Sequence, residues 1–244
     1  MKIIFIDIET LPLEESKIDF IRNKVSRRNT NLSSLDFEIQ VEKLFRETAL
    51  QGSLGRLLCI GLMIEEVSIN YQKSKVEDSK IILRPSVFGQ DKETRKFHLD
   101  EKRTLEGFWN YLSNAKLNFE FDLIVGHNLI EFDLPFIYQR SMVKGVKPTY
   151  ELLRNKPWEQ RHLFDTMKEW KMGVYGRNVS LEDLAFGFGV DCQKDAEVDG
   201  SKIYDLYLQD KHEEIREYCL KDIRCIREVY YRMNYLESPK YDEL

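Results

Sequence analysis

The tightest constraint on this chain lies near its start, in the run KIIFIDIET at positions 2–10. Its β-branched and aromatic residues describe a strand that is buried and central in a sheet. Two carboxylates, Asp7 and Glu9, interrupt the apolar run. Residues two apart on a strand point to the same face, so these acids share one side of the sheet. Burying two like charges together costs on the order of several kcal/mol unless a positive charge compensates or a proton is retained. The spacing alone is not distinctive. It recurs at Asp36–Glu38, Asp91–Glu93 and Asp195–Glu197, all in hydrophilic surroundings where a solvated surface explains it.

Two later segments carry acids in equally pointed settings. GHNLIEFDLPF, 126–136, follows an apolar strand and opens a helix, the place where α/β folds put functional groups. Asp133 followed by Pro135 also suits an ordinary helix start, with Asp133 as the cap. EYCLKDI, 217–223, places Tyr218 and Asp222 one helical turn apart on one face. Among the 12 tyrosines only Tyr218 has an Asp four residues on, although a surface Tyr–Asp pair is the plain alternative.

The pattern between these segments predicts an α/β layered fold with a mixed central sheet. Residues 14–50 are highly charged with apolar positions at helical spacing, and read as a helical insertion after the first strand. GRLLCIGLMIE resumes strand character, with short strands expected at Ser68–Tyr71 and Ile81–Arg84. Helices are expected over 100–115, 133–145, 180–189 and 211–235, and strands at 121–126 and 162–166. The whole of 1–244 is expected as one domain, with 237–244 a loose tail.

Composition narrows the function. A net charge of −5 argues against coating nucleic acid without regard to sequence, but not against engaging a strand locally. The four cysteines, Cys59, Cys192, Cys219 and Cys225, form no C-x-x-C pair, which excludes a zinc ribbon or a thioredoxin-like motif. No apolar stretch approaches the ~20 residues of a membrane span, and no long apolar leader precedes the first strand. The expectation is a reduced, cytoplasmic protein without a membrane partner. Neither a G-x-x-x-x-G-K-[ST] loop nor G-x-G-x-x-G after a strand is present, so nucleotide phosphotransfer has no motif behind it.

Taken together, DIET, HNLIEFDLP and YCLKD resemble, in this order, the three motifs of the DEDD superfamily of 3′–5′ exonucleases in its tyrosine-bearing form. The likeness is nearest to the proofreading exonuclease domain of family B DNA polymerases and its stand-alone relatives. LFDT and SLEDLAFGFGV also resemble that domain, while 14–50 and about 66–100 are least alike. The resemblance implies a ribonuclease H-like fold and a metal-dependent 3′–5′ exonuclease.

It further implies that Asp7, Glu9, Asp133 and Asp222 hold two divalent cations, Mg²⁺ or Mn²⁺. Such a cluster is tolerable only if some of the acids keep a proton or if divalent cations bind. Carboxylates ~5 Å apart repel by about 3 kcal/mol per pair at an effective dielectric near 20, and hard oxygen donors select these ions. Tyr218 would orient the attacking water. With an ordinary pKa near 10 it is only ~0.1% phenolate at pH 7, a poor general base. Thr10 and Leu11 after the strand, Asn128, and Phe132 as a stacking ring are the implied contacts to the substrate. Arg22, Lys24, Arg27 and Arg28 make a basic cluster that reads first as a solvated helix face. The implied substrate is a single-stranded 3′ end, DNA favoured over RNA, and the implied protein partner a polymerase or repair factor. A 3′–5′ exoribonuclease or a non-catalytic end-binding module are the competing readings.

Overall fold

The computed structural model describes residues 1–28, 32–153, 161–174, 176, 178–192 and 200–241. Five strands form one sheet in the order β3-β2-β1-β4-β5. They are β1 (Lys2–Leu11), β2 (Arg56–Asn70), β3 (Lys75–Phe88), β4 (Leu123–Gly126) and β5 (Leu163–Asp165). The pairs β1–β2 and β2–β3 are antiparallel, whereas β1–β4 and β4–β5 are parallel. The sheet is therefore mixed, and β1 lies at its centre as its apolar run requires.

Alternation along β1 sorts its side chains into two cores. Ile4, Ile6 and Ile8 pack with Ile60, Leu62 and Ile64 under α3 (Glu101–Asn114) and α4 (Leu134–Lys144), which supply Phe108, Trp109 and Ile137. Ile3, Phe5 and Leu11 lie on the opposite face with Cys59 and Met63, under α8 (His212–Met233). The odd-numbered face of β1, which also carries Asp7 and Glu9, is thus the face that α8 covers.

The apolar stripe of α8, Ile215, Cys219, Ile223, Ile226 and Tyr230, is buried as the helical spacing predicts. One glycine lets this helix sit low. Gly61, the register partner of Asp7, has no side chain, and a Cβ there would stand 2.5 Å from both Cys219 Sγ and Ile223 Cδ1. At its far end α8 is locked by a buried ion pair, with Arg227 Nε donating to Glu65 on β2 at 3.0 Å. The Tyr231 hydroxyl donates to the same carboxylate. On the other face, Glu101 at the head of α3 accepts from Arg140 of α4 and from the Leu57 N–H of β2, each at 2.8 Å.

The insertion folds as two helices, α1 (Ile18–Arg28) and α2 (Ser34–Glu47), with Ile21, Val25, Val41 and Phe45 buried. Part of its basic cluster is structural, since Arg22 makes two bonds of 2.7 Å to Glu38 across the helix pair. Arg46 reaches Asp205 on α7 (Ile203–Leu208) at 2.8 Å. Two short helices had no clear signal in the sequence, α5 (Thr166–Lys171) and α7. The helix expected at 180–189 is α6 (Leu181–Phe188), capped by Ser180 and closed by Gly189 in the left-handed region.

Three expectations need correction, and a fourth holds over a longer span. The separate strand at Ser68–Tyr71 does not exist: its first residues end β2, and Tyr71–Lys73 form the turn of one long hairpin. The strand expected near Ile81–Arg84 is present and is the middle of the longer β3, because cross-strand pairing continues from Ile60↔Phe88 out to Asn70↔Lys75. The cysteines are not all reduced, since Cys192 and Cys225 form a disulfide across 33 residues, whereas Cys59 and Cys219 are free and buried. Wide separation in the chain hid a pair that folding brings together. The segment expected as a loose tail is held over part of its length. Pro239 accepts from Arg227 at 2.8 Å, Ser238 donates to Glu228 at 2.6 Å, and Tyr241 packs on the Arg227 guanidinium. Residues 242–244 of that tail lie outside the described residues.

The Glu65–Arg227 pair generates a stability prediction. Arg227→Met leaves the Glu65 carboxylate buried without its cation and costs about 3–5 kcal/mol, read by urea denaturation. The double variant Glu65→Met, Arg227→Met recovers most of that loss, because neither charge is then stranded.

Candidate active site

The site forms where the central strand outruns its neighbour. β4 pairs with β1 only from Ile3 to Phe5, so the stretch holding Asp7 and Glu9 continues past the end of β4. Beyond Gly126 the chain turns sharply back toward β1. A Cβ on Gly126 would lie 3.0 Å from Leu129 and 3.2 Å from the Ile6 carbonyl, so the turn closes tightly against the strand. Asn128 adopts the left-handed conformation, φ 60° and ψ 24°, which Asn tolerates better than most residues. A wide helical turn, Leu129–Asp133, then leads into α4.

Asp133 does not cap that helix. Its backbone is already helical at φ −59° and ψ −56°, and its side chain makes no capping bond. Instead its carboxyl lies near the Ile8 N–H, midway between Asp7 and Glu9, close enough for that group to lower its pKa. β4 pairs with β1 only as far as Phe5 and does not cover this stretch. Asp133 is 3% exposed. Burial first of all raises its pKa, to about 8, and the charges of Asp165 and Asp222 add to the rise, while the N–H bonds from Asp133 itself and from Ile8 oppose it.

From the other side α8 brings Tyr218, Cys219 and Asp222. Tyr218 bonds to Asp222, its neighbour one turn on. Burial drives the Tyr218 pKa far upward, and the charges of Asp222, Glu9 and Asp7 add to the effect in that order. Donor atoms of Asp7, Glu9 and Cys219 lie within 4.8 Å of one another, a group able to hold a metal ion. The Cys219 thiol is held protonated, first by its hydrogen bond with Cys59 and then by burial, with Asp7 and Glu9 contributing.

The close group is thus Asp7, Glu9 and Cys219; Asp133 and Asp222 are not part of it, but the charge of Asp222 acts on both Asp133 and Tyr218, and those of Glu9 and Asp7 act on Tyr218. Crowded acids, one driven toward neutrality by its surroundings, fit a divalent cation: a hard positive charge would relieve the repulsion and restore the carboxylates as ligands. Cys219 is not among the site residues to which the sequence points. Its place three residues before Asp222 on the same helical face was the available signal.

The residues expected to touch substrate separate into two groups. Thr10, Asn128 and Phe132 are half-buried and reach the surface near the acids. Thr10 follows a register shift in β1 and, with Glu9, Ala49, Leu50 and Tyr204, lines a cavity of about 320 Å³ walled partly by the insertion. Phe132 stands at the lip of the turn, its ring 5.6 Å from that of Phe136. Leu11 does not belong with them. Its side chain is fully buried, since strand parity directs it into the core on the same side as Ile3 and Phe5.

Residues 66–239 match a sequence family described as "Predicted 3'-5' exonuclease related to the exonuclease domain of PolB". The match covers most of the chain, and the chain belongs to this family; Asp7 and Glu9 lie before the matched stretch. Among solved structures the chain is similar to the family B DNA polymerase of the hyperthermophilic archaeon Pyrobaculum calidifontis, with a TM-score of 0.54 and 16% identity. The likeness covers 96% of this chain and 24% of the polymerase chain, and shows a shared ribonuclease H-like fold. A search of curated proteins finds no match. No helix among the described residues is long and apolar enough to cross a membrane.

The raised pKa of Asp133 sets a pH signature for the metal-free protein. The folded state keeps a proton that the unfolded state releases near pH 4, so stability falls as pH rises from about 4 toward 8 and then levels. In chelator the melting temperature declines across that window. Asp133→Asn removes the part of the slope due to this group, as thermal melts at a series of pH values will register.

Proposed function

We propose that this protein is a 3′–5′ exonuclease of the tyrosine-bearing DEDD type, releasing nucleoside 5′-monophosphates from single-stranded 3′ ends with two divalent cations. The observation that supports the reading is the close group of Asp7 and Glu9 with Cys219 of α8, the helix that also carries Tyr218 and Asp222, together with the charge of Asp222 acting on both Tyr218 and Asp133. Family membership supports exonuclease chemistry in general. The polymerase likeness favours DNA over RNA as substrate and a polymerase or repair protein as partner.

Asp7, Glu9 and Asp222 would hold the ion on the side of the attacking water, with Asp7 shared and Asp133 serving the second ion. Bound there, Mg²⁺ or Mn²⁺ supplies an activated water and stabilises charge on the scissile phosphate. The raised Asp133 pKa means that this carboxyl must give up its proton to serve as a ligand. Tyr218, with its pKa pushed still higher than usual, keeps its proton and acts as a hydrogen-bond donor that orients the nucleophile. Thr10 would meet the 3′-terminal nucleotide, Asn128 would hydrogen-bond the strand, and Phe132 would stack on an unpaired base.

The test is a 5′-labelled single strand, as DNA and as RNA, incubated with Mg²⁺ or chelator. Wild type should shorten the DNA from its 3′ end only with metal, and Asp222→Ala should lose the ladder. Equal ladders from both proteins would assign the activity elsewhere. Faster trimming of the RNA would make the enzyme an exoribonuclease.

Tyr218→Phe should lower kcat by about 10²-fold, the scale of a misplaced reacting group, and leave the pH profile unchanged in shape. That profile should climb toward mildly alkaline pH. A sharp fall above pH 7, absent in Tyr218→Phe, would instead make Tyr218 a proton-transfer group.

A further inference from the structure

Asp165 is an acid to which the proposed mechanism gives no role. It ends β5 beside Gly126, its parallel partner in the sheet, and is 1% exposed. Its carboxylate gathers backbone N–H donors from two directions. Oδ1 accepts from Met167 at 3.1 Å and Lys168 at 3.3 Å, an ordinary cap on α5. The same oxygen accepts from Asn128 at 3.0 Å, and Oδ2 accepts from Ile130 at 2.9 Å.

The last two bonds are not local, since their donors lie 37 and 35 residues earlier in the chain. Asn128 is the left-handed residue that starts the turn into Asp133, and Ile130 stands within that turn. The adjoining side chains tie down the same corner. Thr166 Oγ donates to the Gly126 carbonyl at 3.2 Å, and His127 Nδ1 lies 2.9 Å from Thr166 Oγ. Capping α5 would need only a serine or an asparagine. A buried carboxylate so near Asp133 works against ionising it, so the cap alone leaves the charge unexplained. The two N–H groups of the turn supply the missing reason, because a carboxylate accepts from both with both oxygens.

We propose that Asp165 is a positioning residue for the centre. It fixes the 128–133 turn so that the Asp133 carboxyl faces Ile8 and the acids of β1. The inference rests on reading that centre as the exonuclease site. Asp165 touches neither substrate nor ion; it acts through the backbone it holds, as outer-shell partners of metal ligands do.

Two variants of the full chain separate this role from capping. Asp165→Ser keeps an acceptor for α5 but is too short to serve the turn. Asp165→Asn keeps the size and one oxygen, and sets an amide nitrogen against one of the turn donors. Ser180→Ala, which removes the cap on α6 and leaves the bond of His127 to the Val179 carbonyl in place, is the control for general loss of stability. Three readouts apply: Mn²⁺ binding by electron paramagnetic resonance, kcat and KM on single-stranded DNA, and hydrogen exchange at the Asn128 and Ile130 amides. Both Asp165 variants should weaken Mn²⁺ binding or lower kcat by about 10–100-fold, with KM little changed. Exchange at the two amides should accelerate, and Ser180→Ala should match wild type in all three.

Asp165 variants that match wild type in Mn²⁺ binding and kcat would overturn the proposal. So would variants whose losses are equalled by Ser180→Ala, since the effect would then be stability alone. A wild-type protein that neither binds Mn²⁺ nor cleaves would sink the exonuclease reading first and this role with it; a wild type that does both, beside unaffected variants, sinks only the role of Asp165.

Discussion

Mutual repulsion among buried acids is the constraint around which the rest of the molecule is arranged. Asp7 and Glu9 cannot leave β1, because Ile3 to Ile8 pin that strand between two apolar cores. Asp133 and Asp222 are brought to it by a turn and a helix that are themselves firmly anchored. The result is a centre in which Asp133 holds a proton far above the usual carboxylate range and Tyr218 holds its own still more tightly. A centre with that much uncompensated charge is unfavourable by itself and favourable to a divalent cation. The same electrostatics links stability to the proposed chemistry.

The scaffold holds these acids together by rigid, local devices rather than by attraction between them. Gly61 leaves room for α8 to rest on β2 opposite Asp7, and the Arg227–Glu65 pair fixes the far end of the same helix. Glu101 with Arg140 ties α4 to α3 and β2 behind the turn. Asp165 holds the turn by its own backbone. Each anchor lies on or beside an element that delivers an acid. Loosening any of them would let like charges drift apart, which is the direction their repulsion already favours.

Much of this was legible in the residues themselves. The burial of β1 follows from its unbroken apolar run, and the shared face of Asp7 and Glu9 follows from the two-residue repeat of a strand. The stripe on α8 and the turn between Tyr218 and Asp222 follow from helical spacing. Other features depend on partners distant in the chain. The hairpin was cut short because the outer halves of β2 and β3 are polar, and only cross-strand pairing extends them. Asp133 looked like a helix cap, but its backbone is already helical and its buried carboxyl makes no capping bond. Leu11 was an implied substrate contact after the strand, and strand parity put it in the core.

By itself the sequence determined which side chains must be buried, which acids share a face, and the family to which the chain belongs. Those properties depend on local periodicity, which a linear pattern carries in full. Only the tertiary structure decided that Cys192 would meet Cys225, that Cys219 would stand beside the acids of β1, and that Asp165 would reach back to the turn before Asp133. Such contacts join residues dozens to hundreds of positions apart. They are set by how far each strand runs and how closely each helix settles on the sheet, and no short window of residues encodes either.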